Sequence, residues 1–158
     1  MTDLGNPLVT VIIPFLNGGR WLGEAIDSVI SQTYTRWEMV LIDDGSDETH
    51  SLVAQRYADC YPGKISYIDH PGHVNRGVTV SRNAGIRLAK GSYIAFLDAD
   101  DCWLPQKLQH QLEIFELQSE AGMICEASKF WYSWDKPHLE DLIIQIGSQP
   151  DKLYFLLN

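Results

Sequence analysis

Cysteine is scarce in this chain of 158 residues: Cys60, Cys102 and Cys125 are odd in number and far apart. They form no metal-ligand spacing, so reduced thiols in the cytosol are expected. Long apolar runs are missing too. None approaches the roughly 18 residues of a membrane span, and polar Met1 to Pro7 lacks the basic and apolar parts of a signal peptide. A cytoplasmic protein is expected, at most peripheral to the inner face of a membrane. Positive charge is in short supply, with 12 Lys and Arg against 21 Asp and Glu and a net charge of −9. Nucleic acid is thereby excluded as a partner, because phosphate binding needs a basic face. A phosphate-bearing ligand would need a metal or a local Arg and Lys cluster. The five histidines show no ligand spacing, and His70 and His73 read as loop residues. No internal repeat or low-complexity segment occurs. The remainder is ordinary for one soluble domain with a real core, 45% hydrophobic and 21% charged.

The hydrophobic pattern alternates in period. Leu8 to Ile13 is a β-branched run, as in a strand buried on both faces. Pro14 is expected to stop it, and Asn17-Gly18-Gly19 to form a loop. From Trp21, apolar residues through Ile30 share one helical stripe. Glu38 to Ile42 reads as a second strand. Ser46 or Asp47 can cap the next helix, which carries Leu52, Val53 and Tyr57. Lys64 to Ile68 is a third strand and His70 to Gly77 a loop. Val78 to Lys90 is a helix with Gly91 at its C-cap. Ser92 to Leu97 reads as a buried fourth strand, followed by a helix from about Pro105 to Leu117 with Leu108, Leu112 and Phe115 inward. Gly122 to Cys125 is expected as a further strand and His138 to Ile146 as a short helix. Strands alternating with helices predict an α/β fold with a parallel sheet.

Two strands end in acid clusters, Asp43-Asp44 and Asp98-x-Asp100-Asp101. In a parallel sheet both lie on one edge, where ligands collect. Clustered carboxylates repel unless a cation or partner sits among them. Mg²⁺ or Mn²⁺ suits carboxylates, and either could bridge a diphosphate to an acidic protein. The plainer account is an acidic turn, with Asp101 as N-cap of the following helix and Pro105 in its first turn.

Four segments stand in one order: VTVIIPFLN at Val9 to Asn17, EMVLIDDGSDET at Glu38 to Thr49, NRGVTVSRNAGIRLAKGSYIAFLDADD at Asn75 to Asp101, and LPQKL at Leu104 to Leu108. Together they resemble the N-terminal part of a family 2 glycosyltransferase over about Leu8 to Phe115. The resemblance implies a Rossmann-like GT-A fold, mainly parallel and incomplete at the C-terminus. Residues 1–7 read as a leader, and the resemblance implies a nucleotide-sugar-binding domain at 8–126 and the start of an acceptor-side region at 127–158. The activity implied is metal-dependent, inverting transfer from a nucleotide-diphosphate sugar, first of all a uridine diphosphate sugar, to a saccharide, lipid or protein acceptor. Asp98 would hold the ribose and Asp100 the Mn²⁺ or Mg²⁺. Asp43 would face the N–H edge of the base, with Asp44 its neighbour or a cap. Pro14, Phe15 and Asn17 would flank the base, and Arg76 or Arg82 would reach the base or the diphosphate. Arg82 could instead simply pair with a nearby Asp, and Asn83 and Gly85 read as close helix–sheet packing.

One position departs from the family pattern. An aromatic commonly precedes the asparagine at Asn17, and Leu16 stands there instead; it lacks a π-face. Trp103, Trp131, Tyr132 and Trp134 read as core packing before sugar stacking. Glu140-Asp141 reads as solvated charge on a helix surface, so the general base is expected outside this chain. The apolar Tyr154 to Leu157 would want cover from the rest of the domain or a second copy. Two other functions compete: a nucleotidyltransferase, against which PFLNGG lacks a basic residue, and a module that binds nucleotide-sugar without transferring it. A dehalogenase-type phosphatase would carry its acid triplet after the first strand, where PFLN stands here.

Overall fold

The computed structural model describes residues 5–118, 120–126, 128–132 and 136–144. By its contacts the chain falls into two compact units, Met1–Glu113 and Ile114–Asn158. The first carries β1 (Val9–Phe15), α1 (Gly19–Ile30), β2 (Trp37–Asp43), α2 (Glu48–Cys60), β3 (Ile65–Asp69), α3 (Val78–Leu88) and β4 (Tyr93–Phe96). Helix α4 (Lys107–Leu117) begins in it. The four strands form one parallel sheet in the order β3-β2-β1-β4.

Both faces of the sheet are covered, which is why β1 and β2 are almost wholly apolar. On one face Val9, Val11, Ile13, Phe15, Met39 and Leu41 pack with Leu22, Ala25, Ile26 and Val29 of α1 and with Leu108 and Leu112 of α4. The α1 residues recur at helical spacing and form its buried stripe. On the other face Ile12, Val40 and Ile42 make a smaller cluster. Gly85 brings α3 close there: a β-carbon on it would stand 2.5 Å from Ile12 Cγ2. Close packing is therefore the role of Gly85, as expected. Asn83 is exposed and takes no part in it.

Several boundaries differ from the sequence reading, each for a tertiary reason. Pro14 lies inside β1. Strand β4 pairs only with Val9 to Ile12, and the Ile12 carbonyl accepts from Leu97 N–H. Pro14 faces the same way two residues later, past the end of that pairing, so its missing donor leaves no ladder bond unmade. Gly91 does not cap α3, whose C-cap is Ala89. It permits contact with β1, since a β-carbon would stand 2.6 Å from Thr10 N and 2.7 Å from Leu8 O. Strand β4 is not buried on both faces: it is an edge strand with Ile94 and Phe96 about two-fifths exposed. Helix α4 starts at Lys107, so Asp101 is not its N-cap.

In the second unit Gly122 to Cys125 is not a strand. An antiparallel pair forms instead between β5 (Ser128–Phe130) and β6 (Leu142–Ile144). The expected helix at His138 to Ile146 is absent over its described part, because Leu142–Ile144 is strand. Phe115 is half-buried. Trp103 packs against the core as expected, whereas Trp131 and Tyr132 are exposed. Trp134, Tyr154 to Leu157 and Met1 to Leu4 lie outside the described residues. No helix among the described residues is long and apolar enough to cross a membrane.

Candidate functional site

Because the sheet is parallel, the segments leaving β1, β2, β3 and β4 emerge on one edge. They bring together Pro14 to Asn17, Asp43 to Ser46, Asp69 to His73 and Leu97 to Asp101. Phe15 is buried, with its ring 6.5 Å from that of Tyr67. Pro14 is buried with it, and Leu16 is exposed. Asn17 takes a positive φ of 51° and stitches two loops. Its N–H donates to Ser46 Oγ at 3.0 Å, and its Oδ1 accepts from Asp47 N–H at 2.7 Å. Gly18 brings this loop beside the acid turn: a β-carbon there would be 3.7 Å from Ala99 Cβ.

The two acids after β2 do different work. Asp43 is fully buried. Its Oδ1 accepts from Ser46 N–H at 2.7 Å, and its Oδ2 accepts from the Ser51 hydroxyl at 2.5 Å and the Tyr67 hydroxyl at 2.9 Å. Burial alone would push this carboxyl up; the hydrogen bonds from Ser51, Ser46 and Tyr67 outweigh it and hold the pKa below the ordinary carboxylate value. Asp44 reaches the other way and accepts from Arg76 N–H at 2.7 Å and Gly77 N–H at 2.9 Å, closing the loop ahead of α3. The Arg76 side chain is exposed. Gly45 lets that loop pass. Its φ is 86°, and a β-carbon would stand 2.8 Å from Asn75 N.

Histidines pin the same loop. His70 is buried, 2.8 Å from Ser81 Oγ and 3.5 Å from Asp44 Oδ1. His73 sets Nδ1 2.8 Å from Asp69 Oδ2 and Nε2 2.6 Å from the Ser46 carbonyl. Both neighbours accept, so the imidazolium alone satisfies both. The Asp69 carboxylate, then the Ser46 carbonyl, raise its pKa above 6.5. A cavity of about 490 Å³ opens here, lined by Ser46, Ser51, Gln55, Tyr67, Asp69 and His73 among others.

After β4, Asp98 and Asp101 close a turn through Asp101 N–H to Asp98 O at 3.0 Å. Asp98, Asp100 and Asp101 are all exposed. Partial burial, then the neighbouring Asp100 and Asp98 charges, raise the Asp101 pKa. Arg82 of α3 donates from Nη2 to Asp98 Oδ1 at 2.5 Å. The chain leaving the turn is held by α1 and by Gln32 just beyond its C-cap. Gln32 Nε2 donates to Leu104 O at 2.8 Å, and its Oε1 accepts from Leu108 N–H at 3.0 Å. Trp103 N–H donates to Ser28 Oγ at 3.1 Å.

The sequence reading brought out Asp43, Asp44, Asp98, Asp100 and Arg82, and they do share this edge. It missed Ser46, Ser51 and Tyr67 around Asp43, and Gln32 behind the acid turn. A hydroxyl in the first turn of α2, Ser51, and a polar residue just past the end of α1, Gln32, were the traces. Among the described residues, no group of three or more His, Cys, Asp or Glu is arranged to hold a metal ion. A Mg²⁺ or Mn²⁺ ion takes one or two protein carboxylates and completes its shell with water and phosphate oxygens. Exposed Asp100 supplies one such carboxylate, so the residues fit a cation shared with a phosphate ligand.

A parallel sheet with helices on both faces and acids at its carboxyl edge is the arrangement found in GT-A glycosyltransferases, whose fold this chain shares. The profile described as Glycosyl transferase family 2 matches residues 10–152, and the chain belongs to that family. It is 38% identical over 151 residues to TuaG, a putative teichuronic acid biosynthesis glycosyltransferase of Bacillus subtilis, covering 92% of this chain and 52% of TuaG. An uncharacterized glycosyltransferase of Rickettsia prowazekii is 38% identical over 112 residues, 71% of this chain and 33% of that protein. Among solved structures, the mannosyltransferase PcManGT of Pyrobaculum calidifontis, in complex with GDP-Man and Mn²⁺, is 27% identical with a TM-score of 0.57. That match covers 65% of this chain and 30% of that one. TarS of S. aureus in complex with UDP shares the fold at 19% identity and a TM-score of 0.63, over 77% of this chain and 33% of that one. The chain spans about a third to a half of the length of these curated relatives.

Proposed function

We propose that this chain binds a nucleoside-diphosphate sugar, with uridine the first candidate base, together with Mn²⁺ or Mg²⁺ at the carboxyl edge of the sheet. In the whole protein, the sugar would pass with inversion to the hydroxyl of a saccharide, lipid or protein acceptor. One observation carries the reading: β2 and β4, the neighbours of β1 on either side, both end in carboxylates around the Pro14 to Asn17 loop. On this reading Asp100 holds the cation and Asp98 the ribose. A divalent cation there would neutralise charge developing on the leaving diphosphate.

Pro14, Phe15 and Asn17 form the floor and side of the base site. On this reading Asp43 serves the base site from beneath: it is fully buried, and its three internal donors fix the Ser46 loop that borders the base. Asp44 orders the backbone at Arg76 and Gly77, and on this reading the exposed Arg76 side chain reaches the base or the diphosphate. An acceptor hydroxyl would need a carboxylate base. Asp141 is already paired with Lys129 at 2.7 Å, and on this reading it is not that base.

The mannosyltransferase relative, bound to GDP-Man and Mn²⁺, supports the pairing of donor and metal. Calorimetry with UDP and with GDP, in Mn²⁺ and in chelator, tests the reading. Binding that needs the cation is expected, and Asp100→Asn should remove the cation-dependent part. Equal affinity in chelator, or an Asp100→Asn chain that binds as the parent does, would refute it.

A further inference from the structure

Arg82 sits at the site with most of its hydrogen-bonding capacity unspent. A guanidinium has five N–H donors, and its strong contacts to carboxylates are bidentate. Here a single hydrogen bond joins it to Asp98, from Nη2 at 2.5 Å. Its Nε is buried and has no hydrogen-bond partner. The guanidinium carbon is 5.7 Å from the Phe96 ring centre, so the group lies against an edge strand rather than in a closed pocket. Both partners remain open to water, Arg82 by 37% and Asp98 by 50%. The pair can separate without exposing a core. Beside it stand Asp100 and Asp101, whose charges crowd one another.

We propose that Arg82 is a resident counter-ion that changes partners. In the free chain it neutralises Asp98 and holds the acid turn together. When a diphosphate arrives, its guanidinium turns to the phosphate oxygens, which satisfy the donors Asp98 leaves idle, and Asp98 is released to the ribose hydroxyls. The inference rests on the donor-site reading above and adds a sign to it. A positive charge paired with Asp98, two residues from Asp100, opposes entry of a cation alone, yet favours the diphosphate. Arg82 should therefore act in opposite directions on the two ligands. A residue that merely shapes the site would move both affinities together.

Two measurements on the full chain separate these effects. Free Mn²⁺ counted by electron paramagnetic resonance gives the affinity for Mn²⁺ alone. Calorimetry with UDP at saturating Mn²⁺ gives the affinity for the diphosphate. Arg82→Gln should bind Mn²⁺ about fivefold more tightly, the order one neighbouring unit charge supplies across solvated separations. It should bind UDP about tenfold more weakly, having lost a charge-assisted contact. Arg82→Lys keeps the charge and loses the fork, so Mn²⁺ affinity should stay near that of the parent while UDP weakens by about threefold.

Affinities that fall together in Arg82→Gln, or a Mn²⁺ affinity that does not rise, overturn the inference. If Arg82→Gln does not fold, Arg82→Lys decides: UDP binding equal to the parent overturns it. A parent chain that binds neither Mn²⁺ nor UDP overturns the donor-site reading and this inference with it. A parent that binds both, beside an Arg82→Gln that matches it, overturns this inference alone.

Discussion

Replacing Asp43 with Asn alters one atom and removes a charge that three donors converge on. The side chain is fully buried, so water cannot take over. The amide keeps one acceptor oxygen. Its NH₂ then faces either Ser46 N–H or the two hydroxyls of Ser51 and Tyr67, all of them donors to the carboxylate. Hydrogen bonds to a buried charge are worth about 1.5–3 kcal/mol each, and an orphaned buried donor costs about 1–3 kcal/mol. The hydroxyls can rotate, so not every contact is lost in full, and a destabilisation of about 3 kcal/mol is expected. For a chain of this size that lowers Tm by about 6–12 °C.

Acid adds a second signature. The folded-state pKa of Asp43 is depressed, so its stabilisation is complete above the unfolded value near 3.8 and is lost as pH falls through the folded value. The gap between parent and Asp43→Asn should be wide at pH 7 and close below pH 4. Urea melts at pH 7 and pH 3 measure it, with unchanged slope and shifted midpoint. A variant whose midpoint matches the parent at pH 7 would refute the claim that these three donors hold the charge in place.

Two further substitutions follow from the packing and the loop. Gly85→Ala drives a methyl into Ile12 and should cost about 1–3 kcal/mol in thermal or urea melts, as overpacking does; a variant as stable as the parent would mean α3 shifts freely on the sheet. His73→Gln should destabilise the chain at pH 6 and make less difference at pH 8. The raised histidine pKa stabilises below the unfolded value of 6.5, and the benefit is lost as pH rises through the folded value. Melts at the two pH values check it, and a difference that grows toward pH 8 would reverse the sign.

The strand and helix order was legible because β1 and β2 are nearly unbroken apolar runs and each ends in an Asp, Asn or Gly-rich turn. Pairing partners are not written locally, and that is where the reading slipped. Pro14 looks like a strand end unless one knows that β4 stops short of it. Leu142–Ile144 looks like part of a helical stripe until Ser128–Phe130 is set against it. The acids of the site were visible as residue types at strand ends. Their division of labour was not, because Ser51, Tyr67 and Arg82 reach them from three other elements.

Strand β1 also sets the order in which this chain can fold. It pairs with β2 across one intervening helix, but its other edge waits for β4, which comes after three helices and two more strands. On a ribosome, the β1-α1-β2-α2-β3 portion can form while the far side of Val9 to Ile12 still offers unpaired backbone. Closing that edge requires a non-local contact, which slows folding. Gln32 reaches Leu104 and Leu108 over 72 and 76 positions, so its bonds close about as late. The acid turn after β4 would therefore be among the last parts of the sheet edge to take shape during synthesis, and edge-to-edge pairing of β1 is the misfolding route that a slow step at β4 would open.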